Sequence, residues 1–128
     1  MTRIILKGCN GKMGQVITHL VEQDERVEIV AGIDLNGIAK NSYPVFKAFS
    51  ECDIEADVII DFSSPKGVEE MLTFGQMKNI PIVLCTTGLS GEQIAMMEEA
   101  SKKVAILRSA NMSLGINTLA KLVQAATK

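Results

Sequence analysis

The chain is poor in the residues from which metal centres are built. Its 128 residues include one histidine and three cysteines. No two cysteines form a CxxC pair, which argues against a structural zinc site. Cys9, Cys52 and Cys85 are odd in number and far apart, so reduced thiols and a cytoplasmic location are expected. No apolar run approaches the ~20 residues that cross a bilayer. The opening "MTRIILKG" lacks the longer apolar region and small-residue cleavage site of a signal peptide. No sign of charge dominates either: thirteen basic residues face fifteen acidic ones, for a net charge of −2. The basic residues are scattered, so neither nucleic acid nor an anionic membrane is an expected partner.

What is present alternates. Short apolar runs rich in Ile and Val occur at 3–7, 27–33, 57–62, 80–84 and 104–107, with the length and β-branching of strands buried on both faces. Segments of helical period separate most of them. In 13–21, Met13, Val16, Ile17, Leu20 and Val21 share one face and His19 lies opposite. "SSPKGVEEML" offers Ser64 as a cap and Pro65 at the first helical position. "SGEQIAMMEEASKK" offers a capping box, Ser90 with Gln93, and closing lysines. Ser113 is placed to cap a last helix burying Ile116, Leu119, Ala120 and Val123. Between 38 and 53 the pattern is least regular, with a short extra strand expected near Pro44. These observations predict one α/β domain over 1–128: a doubly wound, mostly parallel, Rossmann-like sheet with helices on both faces.

The first strand runs into "GCNGKMG" (8–14) and then directly into the first helix. At that junction backbone N–H groups and the helix dipole favour a pyrophosphate. Gly8 is expected to make the tight turn, Gly11 to admit the phosphates and Gly14 to let helix pack on strand. The spacing is GxxGxxG rather than GxGxxG. The second strand ends at Asp34, twenty residues after Gly14, where a carboxylate accepts bonds from a ribose. Leu35, Asn36 and Gly37 follow, with no arginine for a 2′-phosphate, so NADH is expected to be preferred and NADPH to be possible. Lys12 and Lys40 are the residues that would soften the preference. Three more strand ends are small and polar: "DFSSP" (61–65), "CTTG" (85–88) and "RSANMS" (108–113). Ser63, Ser64 and Ser113 also have ordinary explanations as helix caps.

Together, the glycine loop, Asp34, "DFSSP", "TTG" at 86–88 and "SANMSLGIN" at 109–117 resemble the 4-hydroxy-tetrahydrodipicolinate reductase family, through the whole chain and in order. The resemblance implies a reductase of diaminopimelate and lysine biosynthesis that uses NADH or NADPH. It implies that Gly8, Cys9, Asn10, Gly11, Lys12 and Met13 wrap the pyrophosphate and that Asp34 holds the adenine ribose. It also implies that Phe62, Ser63, Cys85, Thr86, Thr87, Ser109, Ala110, Asn111 and Met112 line the nicotinamide end, with Thr87 reaching the substrate. Two positions depart from the pattern. Cys85 stands where the family usually has glycine, slightly filling the pocket, and Leu35 stands where some members carry an arginine.

Reduction of a cyclic, imine-like dicarboxylate also needs a proton donor and cations for the carboxylates. Here there is only His19, on the polar side of a helix, and Arg108 at a strand end, so no catalytic residue is assigned. The family places its catalytic His and Lys in a second domain, which also builds a homotetramer. This chain is therefore expected to bind cofactor without turnover, as a monomer or weak dimer. Two alternatives are a non-enzymatic NAD-binding or redox-sensing module, and a coenzyme A-binding domain. The second is disfavoured by Asp34, which would repel the ribose 3′-phosphate of coenzyme A.

Overall fold

The structure is a computed structural model, and it describes residues 2–39, 41–62, 64–86 and 88–108. Within them lie β1 (Thr2–Lys7), α1 (Lys12–Glu22), β2 (Val27–Ile33), β3 (Val45–Phe46), a 3-10 turn (Phe49–Glu51), β4 (Val58–Asp61), α2 (Val68–Lys78), β5 (Ile82–Leu84), α3 (Gly91–Ala100) and β6 (Ile106–Arg108). The helix expected after Ser113 lies outside the described residues.

The six strands form one parallel sheet in the order β3-β2-β1-β4-β5-β6. From β1 the chain winds outward through β2 to β3, then returns to β1's other side and winds out again. That reversal is the switch point at which doubly wound sheets bind ligands. Lys7 is level with Ile33 on one side and with Asp61 on the other, so three carboxyl ends meet in one place. The expected fold class is the observed one, with the short strand after Pro44 included.

Alternation along the strands builds two cores. Ile4, Leu6, Val58, Ile60 and Val83 face α1 through Ile17 and Val21. Ile5, Ile59, Ile82 and Leu84 face α2 and α3 through Val68, Met71, Leu72 and Ala100. Each large side chain fully withdrawn from water contributes roughly 1.5–3 kcal/mol.

Three local expectations are corrected. The buried line of α1 is Gly14, Ile17, Thr18 and Val21, while Val16 is 47% exposed. Thr18 can be buried because its hydroxyl donates to Gly14 O and shares a 2.8 Å hydrogen bond with the Tyr43 hydroxyl; this turns the helix away from the purely apolar face. Nor do Ser64 and Pro65 start α2. Gly67, at φ +85°, is the residue before its first turn. The carbonyls of Pro65 and Lys66 are taken by Gln93 Nε2 at 2.8 Å and Lys7 Nζ at 3.1 Å. Finally, α3 has its capping box, but no basic residue closes its last turn.

Candidate functional site

Gly8 leaves β1 with φ +85°, a left-handed conformation costly for other residues. Gly14 faces the loop so closely that a Cβ would lie 2.1 Å from Gly8 O and 2.6 Å from the Cys9 backbone. Both glycines are thus required by the protein itself. Gly11 is not: a Cβ there would meet only Gly8 O, at an ordinary 3.5 Å. No contact within the described residues accounts for a glycine there. Gly11 is also the residue before α1, where no side chain caps the helix and no first-turn residue is acidic. No side chain of the helix itself therefore offsets its positive end.

Asp34 fastens this loop to the end of β2. Its Oδ2 accepts the Asn10 N–H at 3.0 Å and its Oδ1 the Asn36 N–H at 3.2 Å. Asn10 Nδ2 donates to Asn36 Oδ1 at 2.6 Å and to Ile38 O at 2.7 Å. Asn10 therefore clasps the two loops together, and its own Oδ1 is buried without a hydrogen-bond partner among the described residues. Each Asp34 oxygen keeps lone-pair capacity for a ligand hydroxyl. Beside Asp34 and Gly8 opens a cavity of about 350 Å³, walled by Leu35, Lys47, Phe49, Ser64 and Lys66 among others.

Under the crevice lies a buried ion pair that the sequence did not suggest. Lys7 Nζ is 3.5 Å from Asp61 Oδ1, with side chains 7% and 0% exposed. The same ammonium donates to Lys66 O, tying β1, β4 and the turn before α2 together. No periodic signal marks such a pair, since its partners lie on separate strands.

Phe62 N–H donates to Lys7 O at 3.1 Å and Cys85 N–H to Asp61 O at 3.0 Å. These bonds bring Phe62, Cys85 and the buried Thr86 to the same edge as Gly8. Cys85 does not line an open wall: it is 6% exposed and packs in the α1 core with Val83 and Ile60. Ser63, Thr87, Ser109, Ala110, Asn111 and Met112 lie outside the described residues. Lys12 is exposed at the start of α1, Met13 is half-buried behind it, and Arg108 ends β6 exposed. His19 is exposed and, among the described residues, hydrogen-bonds only Gln23. It is remote from the strand ends.

The three cysteines are free and buried. Burial, with Asp34 nearby, pushes the Cys9 thiol up to about 11. Burial and then Asp61 push Cys85 up to about 12. Thiols held protonated in this way are the opposite of redox-sensing cysteines, which are exposed and acidic. Among the described residues no cluster of His, Cys, Asp and Glu is arranged for a metal, and no helix is long and apolar enough to cross a membrane.

A doubly wound sheet with a glycine turn, an uncapped helix at the switch point and a carboxylate at the end of β2 defines a nucleotide-binding domain of the Rossmann type. The family profile described as dihydrodipicolinate reductase, N-terminus, matches residues 2–112. The chain belongs to that family. It is 43% identical over 128 residues to the 4-hydroxy-tetrahydrodipicolinate reductase of Clostridium tetani, covering all of this chain and 50% of that protein. It is 46% identical over 128 residues to that of Caldanaerobacter subterraneus subsp. tengcongensis, again covering all of this chain and 51% of that one. The chain thus spans about half the length of these curated relatives. A solved structure, dipicolinate-bound dihydrodipicolinate reductase from Paenisporosarcina sp. TG-14, superposes with a TM-score of 0.73 at 28% identity, covering 87% of this chain and 48% of that one. Homoserine dehydrogenase of S. aureus shares the fold, at TM-score 0.70 and 15% identity over 85% of this chain and 32% of that one.

Proposed function

We propose that the chain is the cofactor-binding half of an NAD(P)H-dependent reductase acting on 4-hydroxy-tetrahydrodipicolinate, a small cyclic dicarboxylate, in diaminopimelate and lysine biosynthesis in the cytoplasm. The observation that carries this reading is the start of α1. There a glycine with no internal steric role precedes an uncapped, acid-free helix end, with Asp34 anchored beside it.

Gly8 to Met13 hold the pyrophosphate through backbone N–H groups and the helix dipole. Asp34 accepts the adenine-ribose hydroxyls, and the cavity beside it receives the adenosine. Phe62, Ser63, the backbone at Cys85, Thr86, Thr87 and Ser109 to Met112 flank the nicotinamide, with Thr87 at the substrate. When bound, the cofactor supplies the hydride. The residues of this chain orient it and exclude water. The proton donor and the carboxylate-binding cations belong to the half of the protein that this chain does not span, as does the surface of a homotetramer. NADH is preferred, because Asp34 repels a 2′-phosphate and Leu35 offers it nothing.

The purified chain should quench and bind NADH saturably while failing to oxidise it when freshly generated substrate is added. Turnover by these 128 residues alone would refute the division of labour. Absence of saturable NADH or NADPH binding would refute the cofactor assignment.

A further inference from the structure

Among the described residues, two ammoniums of the cavity beside Asp34, those of Lys47 and Lys66, have no ion-pair or hydrogen-bond partner, and of these Lys47 follows the strand paired with β2. β3 runs level with the end of β2: Gly32 pairs with Val45 and Ile33 with Phe46. Asp34 N–H then donates to Phe46 O at 2.9 Å. The next residue along that edge is Lys47, so parallel register seats it beside Asp34, with backbones roughly 4.8 Å apart. Both residues line the same cavity. The stem of Lys47 crosses the face of Gly37, where a Cβ would come 2.9 Å from its Cγ and Cε. The missing side chain of Gly37 is the groove in which that stem lies.

The charges around it are differently placed. Both Asp34 oxygens accept backbone N–H groups, and Glu70 Oε1 accepts the Phe49 N–H at 2.6 Å. Lys7 is paired with Asp61. Lys47 forms no ion pair or hydrogen bond with any described residue. Leu35, on the same wall, is 66% exposed and apolar.

We propose that Lys47 recognises the 2′-phosphate of NADPH, so that the chain binds NADPH as well as NADH although no arginine follows Asp34. This rests on the function proposed above, which makes the cavity the adenosine site. A 2′-phosphate there meets a carboxylate that disfavours it and, one strand away, an unengaged ammonium that offsets the repulsion. Of the two softening residues suggested by the sequence, Lys12 does not line the cavity and Lys40 lies outside the described residues. Lys66 does, but from the turn before α2, on the other side of the β1 end.

Fluorescence titration of the chain with NADH and with NADPH tests the assignment through the ratio of the two Kd values. Lys47→Met should move that ratio about tenfold against NADPH, the scale of one charge-assisted hydrogen bond. Lys47→Arg should keep it within about twofold, and Lys66→Met should shift it less than about threefold. The Lys47→Met effect should shrink as salt rises. An unchanged ratio in Lys47→Met, or wild-type binding of NADH with none of NADPH, overturns the proposal and leaves the cofactor assignment standing. A wild-type chain that binds neither dinucleotide overturns both.

Discussion

α1 and α3 both begin just beyond the carboxyl end of a buried parallel strand, yet their first turns are finished in opposite ways. Ser90 accepts the Gln93 N–H at 3.1 Å, and Gln93 Oε1 accepts the Ser90 N–H at 2.9 Å, with Glu92 in the same turn. That helix satisfies its own donors and its own dipole. α1 has a bare glycine in the equivalent place, no cap and no acid. α2 lies between them, uncapped by a side chain but with Glu69 and Glu70 in its first turn. A helix end completed by its own side chains has nothing left for an anion. Of these three, only α1 leaves both its donors and its dipole for a ligand, at the one place where the sheet reverses direction.

The largest way to break this contrast is through Gly14. Gly14→Ala drives a methyl into the backbone of Gly8 and Cys9 and should cost about 3 kcal/mol, lowering Tm by roughly 10 °C. Urea unfolding checks it, and a cost below ~1 kcal/mol would show that helix and loop are not in this contact. Asp34→Ala removes both the ribose acceptor and the anchor of Asn10. NADH affinity should fall about tenfold, as for a lost hydrogen bond to a charged group, in a calorimetric titration. Ser90→Ala sharpens the contrast from the other side: stability should fall by about 1 kcal/mol with NADH affinity unchanged.

The smallest effect at neutral pH concerns the cysteines. Cys9 and Cys85 are raised from 9.0 to about 11 and about 12. Their protonated forms are therefore favoured more in the folded than in the unfolded chain. That contribution is complete below pH 9.0 and is lost as pH rises through about 11 and then about 12. Equilibrium unfolding followed from pH 8 upward should show stability falling across that window. Thiol reagents should label the native chain slowly at pH 8 and the urea-unfolded chain fast. Rapid labelling of native Cys9 or Cys85 would revive a redox role.

Much of the molecule was legible because its signals are local. The Ile- and Val-rich runs are strands, Ser90 and Gln93 form the expected box, and Gly8 and Gly14 have the steric roles their spacing suggests. Asp34 is at the end of β2, although its contacts to Asn10 and Asn36 make it a structural fastener as well. What could not be read depends on partners far along the chain. α2 starts late because Lys7 and Gln93 take the carbonyls of Lys66 and Pro65. α1 is rotated because Thr18 finds Tyr43. Nothing in the sequence marks Lys47; the pairing of β2 with β3 brings it beside Asp34.

The most direct test of the central claim is calorimetric titration of NADH into the wild-type chain and into Gly11→Asp, with the thermal stability of each measured in parallel. Position 11 has φ −77° and room for a side chain, so an aspartate there can cap α1 and should raise stability by a few tenths of a kcal/mol. The same carboxylate would occupy the site assigned to the pyrophosphate, and NADH binding should weaken by at least about tenfold. A Gly11→Asp chain that is no less stable than wild type and binds NADH equally well would contradict the account.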